Sequence, residues 1–535
     1  MSEMKDTANS KSRNGLRRWL LMALLVVSLV GTGLSWILAS PIGGSPDDDF
    51  HMGSVWCPRP AEESCETAVI DGVLNIKVPE PVALAPKCHI MQPDKPASCE
   101  RPLDSRVDAY SPRFDLGSYP TFYYRFHHLL IMESVDASII LMRAVNYLIA
   151  VLMLGTIAVL LERKLRYPYL LAMVASWAPM GIYFLASMNP SSWSITGVFS
   201  YATAMWGAFE ARDERRRWAL TGMALLGALL CFGSRGDAAF YIFVVTMGLL
   251  FAIAKKRRDL PQWAMGGLLS MIGIYMMGSG GQVDNVVSSN NYVASPLSAG
   301  IRTLMDLPRF FAGLVGFEYG PGWFDIPLNG TVVVLAVILM GTVFFVGLRQ
   351  GSWRKWMSAT MILGAMSGIP VLMVAMGYFT RLGIYQPRYI LPLLAVLMFF
   401  LLASDGGLRP RLSIAQEVFI FASFAVVVSY TLHIVLRRYV TGLGPIVPFN
   451  LDTSIGWWWD TSISPTTTWL IGTVSIILAV VLGRMLARPV SVEEIVALDD
   501  DRADRSRDGV ASRAGAQEHE EDDAVILVAA PSQLP

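Results

Sequence analysis

The 535-residue chain is short of charge and of cysteine: 16% of its residues are charged, and it has five cysteines. A soluble domain carries roughly 25% charged residues, so the three or so soluble domains that length alone suggests are excluded. The formal net charge is zero, which excludes a generally basic nucleic-acid binder. There is no P-loop, no G-x-G-x-x-G opening a cytoplasmic helix, and no soluble segment large enough to bind a nucleotide. No apolar block has an acidic or basic residue near its middle; Glu417, Asp237, His433 and Arg484 all lie near block ends. Ion-coupled transporters usually place such groups at the midplane. No internal repeat is visible.

What the chain does have is apolar sequence in long blocks: 53% of residues are apolar and the mean hydropathy is +0.45. Crossing about 30 Å of hydrocarbon takes ~20 such residues. Blocks near 19–40, 136–161, 168–188, 191–210, 218–234, 237–254, 262–277, 329–348, 357–378, 390–404, 414–436 and 467–486 predict an all-α polytopic membrane protein of about twelve spans. The basic clusters are Arg163-Lys164-Leu165-Arg166, Arg215-Arg216-Arg217, Lys255-Lys256-Arg257-Arg258, Arg354-Lys355 and Arg409/Arg411. Each follows an even-numbered block. By the positive-inside rule all share the side of the N-terminus, so both termini are expected in the cytoplasm of a plasma-membrane protein.

This gives a cytoplasmic N-terminus (1–18), a transmembrane domain (19–486) and a disordered acidic cytoplasmic tail (487–535). The first block, although preceded by Lys11, Arg13, Arg17 and Arg18, is long enough to be a retained helix instead of a signal peptide. The outward segments are 41–135, 278–328 and 437–466, and Leu304–Val315 reads as an interfacial or re-entrant helix. Cys57, Cys65, Cys88 and Cys99 all fall in the first outward segment, an even set that predicts two disulfides in any of three pairings. Zinc held by these cysteines and His89 lacks the C-x-x-C spacing. The bridges are expected to stiffen a loop with little core of its own. Cys231 reads as a buried apolar-like residue.

Chemistry can sit where polar groups crowd the outer membrane face. Asp47, Asp48 and Asp49 with His51 follow the first helix directly. Such a cluster can supply a general base for a hydroxyl proton, or hold Mg²⁺ or Mn²⁺ through Asp47 and Asp48. It also fits a solvated turn with an aspartate N-cap. Tyr119-Pro120-Thr121-Phe122-Tyr123-Tyr124-Arg125-Phe126-His127-His128 form an aromatic and basic cluster that fits an interfacial belt or, through Arg125 and the histidines, a lipid-phosphate contact. Arg143 lies about two turns inside the second block, Arg235 and Asp237 share a hairpin, and Arg388-Tyr389 sit at the outer mouth of the tenth. An arginine there can grip phosphate bidentately. The run 316–325 reads as a turn-rich loop over a site. Trp457-Trp458-Trp459 fits a belt or a sugar-stacking platform.

Taken together, four motifs resemble the membrane proteins of domain of unknown function family 2142, in its actinobacterial form. They are Ser45-Pro46-Asp47-Asp48 with His51; Met188-Asn189-Pro190-Ser191; Gly322-Trp323-Phe324-Asp325-Ile326-Pro327-Leu328; and Arg388-Tyr389 with Pro392. The resemblance runs from about residue 20 to 480. That family is similar in layout to the GT-C glycosyltransferases, which carry a catalytic acidic residue in the first extracytoplasmic loop. The resemblance implies a transferase that uses a polyprenyl-phosphate-linked sugar and a cell-envelope glycan or lipid acceptor. Asp47 or Asp48 would be the base and Arg388, with Arg125 or Arg143, would stabilise the phosphate. A lipid or glycan transporter or flippase and a non-catalytic envelope scaffold are the competing expectations.

Overall fold

The computed structural model describes residues 2–99, 103–279, 281, 293, 295–349, 351–403, 412–444, 449–452, 457–459 and 461–487, with side chains from Leu16 onward. Arg409/Arg411 and the acidic tail beyond Ala487 lie outside the described residues. The helices are α1 (Ser2–Leu38), α2 (Asp48–Trp56), α3 (Ala61–Ser64), α4 (Glu80–Leu84), α5 (Thr121–His128), α6 (Val135–Leu160), α7 (Arg163–Trp177), α8 (Met180–Leu185), α9 (Ser191–Glu210), α10 (Glu214–Ser234), α11 (Gly236–Ala252), α12 (Leu260–Ser279), α13 (Pro296–Ala312), α14 (Gly330–Gly347), α15 (Trp353–Ala375), α16 (Leu391–Ala403), α17 (Ile414–Val440) and α18 (Pro465–Leu486).

Among the described residues, seven helices are long and apolar enough to cross a membrane: the Leu16–Leu38 part of α1, and α6, α10, α14, α15, α17 and α18. The expectation of about twelve spans is met to that extent, and the other five blocks behave differently for visible reasons. Block 168–188 is broken at Ala178-Pro179 into α7 and α8. At 1.5 Å per residue, the 13 residues of α16 reach about 20 Å and the 17 of α11 about 26 Å, short of the hydrocarbon thickness. Helix α12 is diluted by Gln262, Ser270 and four glycines. Helix α9 is buried along nearly its whole length, with Phe199, Tyr201 and Trp206 packed inside the bundle. Gly197 of α9 and Gly227 of α10 let these two backbones touch, since a side chain at either would meet the other helix.

Leu304–Val315 falls in α13 and the 3₁₀ turn after it. Thr303, Leu307 and Phe310 of α13 face inward, while Leu297, Ile301, Leu304 and Met305 are exposed. That two-sided pattern suits a helix lying at an interface.

Segment 41–135 has more internal structure than its sequence promised. Its strands β1 (Thr67–Ile70), β2 (Val73–Pro79) and β3 (Asp108–Ser111) form an antiparallel β1-β2-β3 sheet with Ile70 opposite Val73 and Ile76 opposite Ser111. Asp71 and Gly72 turn the first hairpin with φ of 50° and 78°, the left-handed pair that a two-residue hairpin requires. A distinct apolar cluster of Met52, Val55, Ile76, Val78 and Phe114 joins this sheet to α2 and to Tyr123 of α5. The expectation of little core is therefore corrected: the alternating pattern of β2 puts Ile76 and Val78 on one face, against α2. Cys57 pairs with Cys65 and Cys88 with Cys99, which selects one of the three pairings.

Candidate functional site

The acidic turn begins where α1 ends. The last carbonyls of a helix have no intrahelical partner, and here long-range donors supply them. Arg143 of α6 donates to the carbonyls of Ile37 at 3.1 Å, Ser40 at 2.6 Å and Pro41 at 2.7 Å, and Trp459 donates to that of Leu38 at 2.9 Å. The next residues are held as tightly. Tyr183 and Tyr439 both donate to the carbonyl of Gly44, at 2.9 and 2.6 Å; Trp323 donates to that of Gly43 at 2.8 Å and Asn189 to that of Pro46 at 2.9 Å. The four motifs separated along the chain thus meet at one place: Asn189 of the second grips Pro46 of the first, Trp323 of the third grips Gly43 just before it, and the fourth supplies Arg388.

Asp47 occupies the N-cap position of α2 with φ 61° and ψ 14°, yet its side chain caps nothing. A left-handed aspartate is uncommon and persists where its surroundings hold it. Freed from capping, the carboxylate accepts a hydrogen bond from Arg388 Nη2 at 2.7 Å and lies 3.7 Å from Arg113 Nη2. Asp49 turns the other way and is forked by Arg113 at 2.9 and 3.2 Å. Asp48 points inward: its side chain is 1% exposed, accepts from the Ser45 N–H at 3.0 Å and lies 3.6 Å from Arg143. Asp47 keeps 38% exposure. Three adjacent carboxylates therefore have three separate environments.

Electrostatics follow from that division. Burial opposes ionisation of Asp47, but the Arg388 guanidinium, with Arg113, holds its carboxyl below the usual range. Burial pushes Asp48 up to about 7 against the pull of Arg143. Burial also takes His51 down to about 3, so its ring is neutral, with Nδ1 3.0 Å from the Tyr124 hydroxyl. Arg388 is buried and donates to Asp47 through Nη2, while its Nε and Nη1 have no hydrogen-bond partner. Its guanidinium lies 5.4 Å from the rings of Phe324 and Tyr389 and 5.7 Å from that of Phe184. Met180, Gly313, Leu314, Tyr319, Phe324 and Leu391 pack around it, leaving a crevice too narrow to admit a water molecule.

The remaining expected residues divide. Arg235 is forked onto Asp237 at 2.8 and 2.7 Å, the turn-closing pair, but it also lies 4.9 Å from the Tyr389 ring and 5.7 Å from that of Tyr119. Tyr389 therefore stands between Arg235 and Arg388. Arg143 is at the site as a clamp for α1 and a neighbour of Asp48; with 1% exposure it does not snorkel. Arg125 is exposed and donates to the carbonyl of Arg59 at 2.9 Å, outside the acidic turn. His127 is buried among Tyr123, Asn146 and Trp193, with Nε2 2.8 Å from Asn146 Oδ1, a packing role. Trp459 is buried under α1, so the tryptophan run is neither a belt nor an open platform at that residue.

Arg113, Tyr183 and Tyr439 were missed by sequence reasoning, and nothing in their neighbourhood marks them. Arg438 was missed too. It is fully buried, pairs with Asp325 at 2.7 Å and donates to the carbonyls of His89 at 2.7 Å and Lys95 at 2.6 Å. Asp325 in turn accepts from the Trp323 N–H at 2.9 Å, so this pair braces the loop that holds Gly43.

A divalent cation does not fit this turn. Asp47, Asp48 and Asp49 each face a guanidinium, and among the described residues no three His, Cys, Asp or Glu side chains are grouped to hold a metal ion. Mg²⁺ or Mn²⁺ on Asp47 and Asp48 would have to displace Arg388 from Asp47 and sit against the Arg143 guanidinium beside Asp48, so these residues do not fit it.

No curated protein and no solved structure matches the chain. The profile of the family described as predicted membrane protein (DUF2142) matches residues 30–397, a stretch that includes all four motifs and most of the helices around them, and the chain belongs to that family.

Proposed function

We propose that this protein is a membrane glycosyltransferase that moves a sugar from a polyprenyl-phosphate donor to a hydroxyl of a cell-envelope acceptor. The observation that carries the reading is the pairing of half-exposed Asp47 with Arg388, a buried guanidinium whose Nε and Nη1 have no hydrogen-bond partner. A phosphate that displaces Asp47 from Nη2 gains the fork of this guanidinium and a charge-assisted contact. The acidic turn would face the extracytoplasmic side, with both termini in the cytoplasm of a plasma-membrane protein, as the basic clusters suggest.

Asp47 is a better base than Asp48, which is turned inward onto Arg143. The acceptor oxygen attacks the anomeric carbon as its proton passes to Asp47. The bond from that carbon to the phosphate oxygen breaks, and its electron pair leaves on the prenyl phosphate, whose charge Arg388 stabilises. When the donor phosphate takes Arg388, Asp47 loses its strongest partner and becomes more basic. Donor binding thereby prepares the base.

The test compares envelope glycans in a wild-type strain, a deletion strain, and a deletion strain carrying Asp47→Asn. A sugar missing in both altered strains, with the variant protein present in the membrane, is expected. A sugar missing only in the deletion strain would overturn the chemistry and leave a transporter or scaffold.

A further inference from the structure

A roomier space lies beside Tyr119. It is a cavity of about 240 Å³ between the Gly117–Pro120 turn and the end of α12, lined by Arg59, Ser118, Tyr119, Gly236, Met276 and Met277 among others. Its walls are mixed: methionine side chains on one side, and backbone, hydroxyl and guanidinium groups on the other. The turn is a built structure. Asp115 accepts from the N–H groups of Gly117 at 3.3 Å, Ser118 at 2.7 Å and Tyr119 at 3.2 Å. Arg59 pairs with Asp115 at 3.1 Å and donates to the Tyr119 carbonyl. The third guanidinium nitrogen of Arg59 lies over Gly117.

Tyr119 belongs to both sides of this wall. It lines the cavity, and its ring sits 5.2 Å from the ring of His51 and 5.9 Å from that of Phe50, both on the helix that Asp47 opens. Arg235, whose guanidinium lies 5.7 Å from the same ring, adjoins Gly236 in the cavity wall. One aromatic ring therefore separates the cavity from the acidic turn.

We infer that this cavity is the binding site for the hydroxyl-bearing acceptor, and that Tyr119 is the positioning residue that passes its reacting end to Asp47. The chemistry is that of a sugar: a guanidinium, serine and tyrosine residues and methionines around a ring-sized space. The volume falls below the roughly 300–1,000 Å³ of drug-sized ligand sites, which suits one sugar ring and excludes a prenyl chain. The two substrates then approach Asp47 from different sides, the donor past Arg388 and the acceptor past Tyr119. The inference rests on the reading of Asp47 as base.

The test separates binding from transfer. Met277→Cys is placed in the full chain, reconstituted in liposomes and labelled with a maleimide. The four cysteines of the first segment are in disulfides and Cys231 is buried, so the new thiol is the one that reacts. Methyl glycosides of hexoses and pentoses are expected to slow labelling several-fold, and polyprenyl phosphate alone to leave it unchanged. Met277→Trp, which fills the cavity, is expected to raise the acceptor KM in transfer assays with membranes and leave the donor KM unchanged. No protection by any glycoside, or equal protection by polyprenyl phosphate, overturns the inference. Protection that persists when Asp47→Asn proves harmless to transfer would sink the reading of Asp47 and keep the site.

Discussion

Arg388 Nη2 and Asp47 Oδ2 lie 2.7 Å apart across 341 residues of chain. The pair joins the start of α2 to the 3₁₀ turn (Pro387–Tyr389) before α16, and it is the contact through which a phosphate and a base would sense each other. Arg388→Ala should lower transfer by roughly the 10²–10³-fold typical of losing one transition-state donor. Arg388→Lys should recover little of it, because an ammonium lacks the fork. Rates measured at saturating acceptor decide the point, and full activity in Arg388→Ala would remove Arg388 from the mechanism.

Asp48 predicts a pH effect on stability. Its carboxyl is raised from 3.8 to about 7 in the folded protein, so the folded state holds this proton more tightly than the unfolded chain. Its contribution to stability is then full below about pH 4 and is lost as pH rises towards 7. Thermal unfolding in detergent should show wild type losing stability over that range relative to Asp48→Asn. Parallel profiles for the two proteins would disprove the assignment.

Arg143 predicts a structural loss. It satisfies three carbonyls at the end of α1 and faces Asp48 with 1% exposure on both side chains. Removing one partner of a buried pair typically costs about 3–5 kcal/mol. Arg143→Met should therefore lower the unfolding temperature sharply. Arg125→Met, at an exposed side chain, should leave it within ~0.5 kcal/mol of wild type.

Gly53 predicts a positional effect. A Cβ there would run into the carbonyl of Arg113, so Gly53→Ala must push α2 away from the segment that follows β3. Overpacking of this kind costs about 1–3 kcal/mol. The displacement should loosen the Arg113–Asp49 fork, and transfer should fall while the protein stays in the membrane. Unchanged transfer would mean that α2 has room to shift.

The outline of the site was legible and its construction was not. Asp47, His51, Arg388 and Asn189 stand out in sequence because polar groups are conspicuous at the edges of apolar blocks. The division of labour among Asp47, Asp48 and Asp49 was not legible, because it depends on which guanidinium each meets, and Arg388 and Arg113 lie 341 and 64 residues from their partners. The span count was legible in part, for seven helices among the described residues. Apolarity marks what is buried, and α9 is buried by other helices instead of lipid, while α11 and α16 are apolar but short. The sheet of the first segment hid behind short strands, β1 and β3 being four residues each.

The carbonyl of Gly44 accepts from Tyr183 and Tyr439, 139 and 395 residues further on. Synthesis runs from the N-terminus, so the acidic turn emerges early and waits for most of the polypeptide before its last clamp exists. Until Tyr439 and Arg438 arrive, the Gly44 carbonyl has one of its two tyrosine donors and Asp325 lacks its guanidinium. A ribosome-stalled or truncated product ending before α17 would carry every acidic residue of the turn without these two clamps.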